Sequence, residues 1–123
     1  NKDHKFFIPN TTNKISKEIL AYEKQIDKID ILLLTLGDDG HIASIFPKFN
    51  KKKITGNFFY FKNNWENFYR ISITPNFIKK TQKKFIFVEG KKKLAVFDNL
   101  KINKNYMLPA NLVYKNGLWL IKK

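Results

Sequence analysis

The stretch Ile31-Leu32-Leu33-Leu34-Thr35-Leu36 is almost wholly apolar, and at Gly37 it passes straight into Asp38-Asp39-Gly40-His41 before apolar residues resume with Ile42-Ala43-Ser44-Ile45-Phe46-Pro47. A run of this length, bounded by glycine, reads as a central strand covered on both faces, the habit of parallel sheets. Ligands of open α/β sheets sit just beyond the carboxyl ends of such strands. His41 is delivered to that place.

Composition narrows the classes of function. The 123 residues are 43% hydrophobic, enough to build a core, and no internal repeat or shift in composition marks a linker, so residues 1–123 read as a single domain. No run approaches the roughly 18 apolar residues of a membrane helix, and Asn1-Lys2-Asp3-His4-Lys5 lacks the apolar segment of a signal peptide, so a soluble, cytoplasmic protein is expected. With no cysteine there is no disulfide, thiolate nucleophile or cysteine zinc site, and two histidines far apart in sequence make a metal centre a poor expectation. The net charge of +14 suggests anionic partners. Only Arg70 among the 24 basic residues is arginine, however, and the lysines are spread in short runs along the chain. Base-reading proteins favour the fixed fork of arginine, so a nucleic-acid-binding module is the less favoured alternative.

Taken in order, Lys5-Phe6-Phe7-Ile8-Pro9 suits an edge strand or an extended lead-in. Ile15, Ile19, Tyr22, Ile26 and Ile29 mark one face of a helix over Lys14 to Lys28, with Asn13 or Ser16 as candidate caps. From Lys48 to Tyr69 the pattern is lost, and the aromatic clusters Phe58-Phe59-Tyr60-Phe61 and Trp65 to Tyr69 read as a surface excursion that covers the site. Arg70-Ile71-Ser72-Ile73-Thr74 alternates as a strand does. Thr74-Pro75 opens a helix to about Gln82, and Phe85-Ile86-Phe87-Val88 is a second buried strand. It ends at Glu89-Gly90, and Leu94, Phe97 and Leu100 then define a helix face. Near the end, Lys115-Asn116-Gly117 between Leu112-Val113-Tyr114 and Leu118-Trp119-Leu120-Ile121 predicts a β-hairpin.

Few side chains here can do chemistry. An imidazole takes a proton at neutral pH, and Asp38 or Asp39 within three positions can fix its tautomer, so His41 leads the candidates, with Asp39 either its partner or a direct substrate contact. The plainer account makes Gly37-Asp38-Asp39-Gly40 a solvated turn that caps a helix. Arg70, alone of its kind, suits a bidentate grip on phosphate or carboxylate, against the plainer account of a surface arginine. Lys93, near a helix start after Gly90, suits an anion, although its lysine neighbours make a solvated face as natural. No Gly-x-Ser-x-Gly elbow, phosphate-binding loop or dinucleotide glycine motif is present, which leaves water activated by a histidine.

The stretch from Leu33 to Pro47 resembles the signature of the 6-phosphogluconolactonase family, an apolar strand followed by Gly-x-Asp-Gly-His-x-Ala-Ser-Leu-Phe-Pro, and departs from it only by Ile45 for Leu. Arg70 to Thr74, Gly90-Lys91-Lys92-Lys93 with its helix, and Leu108-Pro109-Ala110 followed by Gly117-Leu118-Trp119 match the family more weakly, in its order. The resemblance implies an α/β domain with a largely parallel, Rossmann-like sheet and helices on both faces. It also implies hydrolysis of 6-phospho-D-glucono-1,5-lactone to 6-phosphogluconate, without a metal or cofactor, in the oxidative pentose phosphate pathway. His41 would be the general base with Asp39 beside it, Arg70 and Lys93 would hold the substrate phosphate, and Gly37 and Gly40 would shape the site loop. The related glucosamine-6-phosphate deaminases carry Asn-Glu where this chain has Ile45-Phe46, and Phe46 cannot titrate, so the deaminase is the alternative. The family's early strand with its glycine-rich phosphate loop and a later Asp-x-Arg segment are absent, so the chain is expected to be the C-terminal half. The lactonase also occurs fused to glucose-6-phosphate dehydrogenase, which makes that enzyme a candidate partner.

Overall fold

The computed structural model describes residues 5–48, 54–103 and 107–122. Helix α1 (Ile15–Gln25) is followed by strand β1 (Ile31–Thr35), and β2 (Phe58–Phe61) and β3 (Arg70–Ile73) form an antiparallel pair. Then come α2 (Pro75–Lys80), β4 (Lys83–Glu89), α3 (Lys91–Asn103), a short α4 (Asn111–Tyr114) and β5 (Leu118–Lys122). The three longer strands build one sheet in the order β1-β4-β5, parallel throughout, with Thr35 opposite Phe87 and Phe87 opposite Leu120. The α/β class and the parallel sheet are as the sequence predicts.

Local chemistry accounts for most element boundaries. Thr74 caps α2 by accepting a hydrogen bond from the Phe77 N–H, and Pro75 sits at the first helical position, where its missing N–H costs nothing. Helix α1 has Lys14 at its N-cap, one residue after Asn13 and two before Ser16, and Lys14 makes no side-chain cap bond. Asn13 instead donates to Glu18, which also accepts from the Asn10 N–H. Residues 5–10 form no strand, and the lead-in is tied by the Tyr22 hydroxyl donating to the Phe7 carbonyl.

Three expectations are corrected. The aromatic run Phe58–Phe61 is strand β2 rather than irregular excursion: four consecutive aromatics show no alternation, yet their bulk suits a pleated surface, and Phe58 and Phe59 are buried. Part of the expected excursion, 49–53, lies outside the described residues. The tail is no hairpin. Residues 111–114 are helical, Gly117 donates its N–H to the Val113 carbonyl, and β5 runs parallel to β4. The Asn-Gly turn therefore joins a helix to a strand, and Gly117 is required because a Cβ there would lie 2.7 Å from the Val113 carbonyl oxygen as well as 2.3 Å from the tip of Ile86.

The third correction concerns the cover of the sheet. Along β1 burial alternates, with Leu32 and Leu34 inside, while Ile31 and Leu33 are exposed. Right-handed crossovers that step the same way across a parallel sheet put their helices on the same side. Phe97 and Leu100 of α3, Ile78 of α2 and Val113 of α4 all join one core with Leu32, Leu34, Ile86 and Val88. Among the described residues the opposite face, with Ile31, Leu33, Phe87, Leu118 and Leu120, stands open, so helices on both faces are not found.

Candidate functional site

Beyond β1 the chain closes a tight loop. Leu36 and Ile42 form an antiparallel bridge, Gly37 N–H donates to the His41 carbonyl at 2.9 Å, and Gly40 N–H donates to the Gly37 carbonyl at 3.0 Å. Ile42 and Ile45 are fully buried and pin the loop to the core. No helix follows His41, so the Asp residues of this turn do not cap one. Gly40 has φ +84°, and a Cβ there would lie 3.1 Å from Leu108, whose turn is fastened by Ala110 N–H donating to the Gly40 carbonyl. Gly37 is needed for a different reason. A Cβ at Gly37 would come within 2.1 Å of His41 Nδ1, so the space a side chain would fill is where the imidazole rests.

The Asp39 carboxylate meets His41 twice. Oδ1 accepts from the His41 backbone N–H at 3.0 Å and lies 2.6 Å from ring Nδ1. Partial burial by itself raises the Asp39 pKa, but the His41 backbone N–H, the ring hydrogen bond, the ring's charge and Asp39's own N–H together outweigh it. The carboxyl is thus held below the usual carboxylate range. An ionised carboxylate only accepts, so Nδ1 is the nitrogen that donates to it, and in the neutral form of the ring Nε2 is the free acceptor. The imidazole is 31% exposed, enough for a ligand to reach. Its other side is covered by Phe46, whose ring centroid is 4.6 Å away.

Residues 2–121 match the family described as glucosamine-6-phosphate isomerases/6-phosphogluconolactonase. The chain belongs to this family. Within the family it is 31% identical over 128 residues to a Dictyostelium discoideum protein named "Probable 6-phosphogluconolactonase", covering 94% of this chain and 54% of that protein. It is 34% identical over 96 residues to a Neisseria meningitidis 6-phosphogluconolactonase, covering 73% of this chain and 42% of that protein. The crystal structure of the Thermotoga maritima 6-phosphogluconolactonase shares the fold, with a TM-score of 0.75 at 22% identity over 93% of this chain and 54% of that one. The chain spans about half the length of these relatives.

In this family member Phe46 links His41 to a second candidate. The Arg70 guanidinium lies 5.8 Å from the Phe46 ring centroid and 5.4 Å from that of Phe68. Arg70 is ion-paired with Glu66, which raises its pKa further, and the same hydrogen bonds hold the Glu66 carboxyl low. Lys93 stands in the first turn of α3, after Gly90 at φ +99°. Because β1 and β4 are parallel neighbours, joined beyond Thr35 by Leu36 N–H donating to the Phe87 carbonyl, the Gly37 loop and the Gly90 corner lie at the same end of the sheet. Lys93 shares that sheet end, and among the described residues no hydrogen bond or ion pair joins it to His41 or Arg70.

Sequence reasoning missed two parts of the assembly. Ser72 Oγ accepts from the Ser44 N–H at 3.0 Å and ties β3 to the turn at Ala43, whose φ is 51°. Glu66 is the other. The alternation of Arg70 to Thr74 places Ser72 on one face but gives no sign of its partner 28 positions earlier. A cavity of about 810 Å³ lies between the 9–18 segment and Phe68, Tyr69 and Ile71. Neither His41 nor Asp39 lines it, and the Glu18 carboxylate in its wall is already engaged by Asn10 and Asn13. Among the described residues no three metal-ligating side chains cluster, and no helix is long and apolar enough to cross a membrane.

Proposed function

We propose that the complete protein hydrolyses 6-phospho-D-glucono-1,5-lactone to 6-phosphogluconate, with this chain supplying the base and part of the phosphate grip. The observation that carries it is the Asp39–His41 pair at the carboxyl end of β1, with Nε2 free of the carboxylate and the ring open to a ligand. Nε2 takes a proton from water as its oxygen attacks the lactone carbonyl. The tetrahedral oxyanion then collapses, the bond to the ring oxygen breaks, and the imidazolium returns the proton to that oxygen. Asp39 holds the tautomer and stabilises the transient imidazolium. Gly37 and Gly40 leave room for the ring and bend the loop beneath it.

Arg70 and Lys93 serve the substrate phosphate in this scheme. Lys91, Lys92 and Lys93 crowd the first turn of α3, which has no acidic residue. Cations are disfavoured at that end of a helix, and an anion relieves the arrangement. Phe46 favours the lactonase over the amino-sugar deaminase, since a phenyl ring cannot exchange a proton. The test is His41→Ala in the full-length polypeptide that carries this chain. Lactone opening, corrected for spontaneous hydrolysis, is expected to fall by about 100-fold or more. An unchanged rate overturns the assignment, and ammonia release from glucosamine 6-phosphate by the parent favours the alternative.

A further inference from the structure

The pairing of Arg70 with Glu66 is more elaborate than a surface ion pair. Glu66 Oε1 and Oε2 lie 2.9 and 2.8 Å from Arg70 Nε, and Oε1 is also bonded to Nη2. Asn63 Nδ2 donates to Oε2 at 3.0 Å, which braces the carboxylate from the far side. The Glu66 side chain is only 10% exposed, while that of Arg70 is 36% exposed. A guanidinium presents two forked edges, one made by Nε and Nη2 and the other by Nη1 and Nη2. Glu66 takes the first. Among the described residues Nη1 has no hydrogen-bond partner, and the Phe46 and Phe68 rings near the guanidinium limit how it can turn.

We propose that Glu66 is a positioning residue: it grips Arg70 by the Nε/Nη2 edge so that the Nη1/Nη2 edge is presented to the phosphate of the sugar lactone. The inference rests on the reading above that Arg70 binds that phosphate. It adds a reason for a partly buried carboxylate beside an anion site, where its charge alone works against binding. Orientation outweighs charge here because a forked phosphate contact needs both donors in one plane, and a freely rotating arginine loses that geometry. Phe46, in contact with both the imidazole and the guanidinium, sets the spacing between proton transfer and phosphate grip.

The experiment is steady-state lactone hydrolysis by the full-length polypeptide with Glu66→Gln, Glu66→Asp and Arg70→Lys, with inorganic phosphate as a competing probe. Glu66→Gln is expected to raise KM about tenfold with kcat within about twofold, and to weaken phosphate inhibition by a similar factor. Glu66→Asp, which keeps the charge on a shorter arm, is expected to recover part of the loss. Parental KM in Glu66→Gln, or a lowered one, overturns the proposal, the lowered value showing that Glu66 competes with phosphate for Arg70. If Arg70→Lys raises KM while Glu66→Gln does not, the positioning role alone fails. If Arg70→Lys also leaves KM unchanged, the phosphate reading of Arg70 fails with it. Should Glu66→Gln not fold, Glu66→Ala takes its place, and a parental KM there overturns the positioning role by itself.

Discussion

Replacing Gly37 by alanine tests the site with the smallest change available, one methyl group. Its Cβ would lie 2.1 Å from His41 Nδ1, 2.2 Å from Cε1 and 2.7 Å from Cγ, whereas ordinary contact begins near 3.4 Å. The imidazole must therefore move by about 1.3 Å, the difference between 3.4 and 2.1 Å. It can do so by leaving its rotamer, at a cost of about 1 kcal/mol, which lowers Tm by only a few degrees. The chemistry is less forgiving. A displacement of about 1 Å at a reacting group costs about 100-fold in rate, or about 2.7 kcal/mol of barrier. The expected result in the full-length polypeptide is a folded Gly37→Ala protein whose kcat falls about 100-fold. Because both changes remove one imidazole from one place, Gly37→Ala combined with His41→Ala is expected to lose little more than His41→Ala alone. A folded Gly37→Ala enzyme with parental kcat would refute the reasoning, since the ring would then work from somewhere other than the space the glycine leaves.

Ser72→Ala leaves the Ser44 N–H without its acceptor in a buried turn, so a loss of about 1 to 3 kcal/mol is expected, and calorimetry should show Tm lowered by about 4 °C or more. The Asp39 carboxyl is held below its ordinary pKa, so its stabilising contribution is present above the carboxylate range and is lost as pH falls through the folded value. Asp39→Asn is therefore expected to melt below the parent at neutral pH and to converge on it in acid, and a gap that widens in acid would reverse the sign. Along β1, Leu34 is 6% exposed and Leu33 is 64% exposed. In the 123-residue chain Leu34→Lys should unfold the protein while Leu33→Lys stays within about 0.5 kcal/mol of the parent by denaturant titration, and equal damage would refute one-sided cover.

What could be read in the sequence followed how local the physics was. The Asp39–His41 pair was legible because both residues sit on one short loop whose glycines say where the chain must bend. Cap chemistry at Thr74-Pro75 was legible for the same reason. The tail was misread because Asn116-Gly117 is a turn signal that does not say what it joins. The strand that follows pairs with β4, which is decided by the path of α3 and α4 across the sheet. Glu66 and Arg70 are four apart, a spacing that brings side chains together on a helix, but residues 62–69 are not helical, so their meeting depends on how that segment turns back onto Phe46 and Phe68. The run Ile31–Leu36 is the instructive case. Apolar at every position but Thr35, it has the composition of a strand covered twice, yet only Leu32, Leu34 and Leu36 of the run are buried. Helices α2, α3 and α4 pack on the side of Leu32 and Leu34, and among the described residues the apolar side chains of the other face stay open. The apolar run therefore does not say how many faces of β1 are covered, because that is decided by which side of the sheet the later helices take.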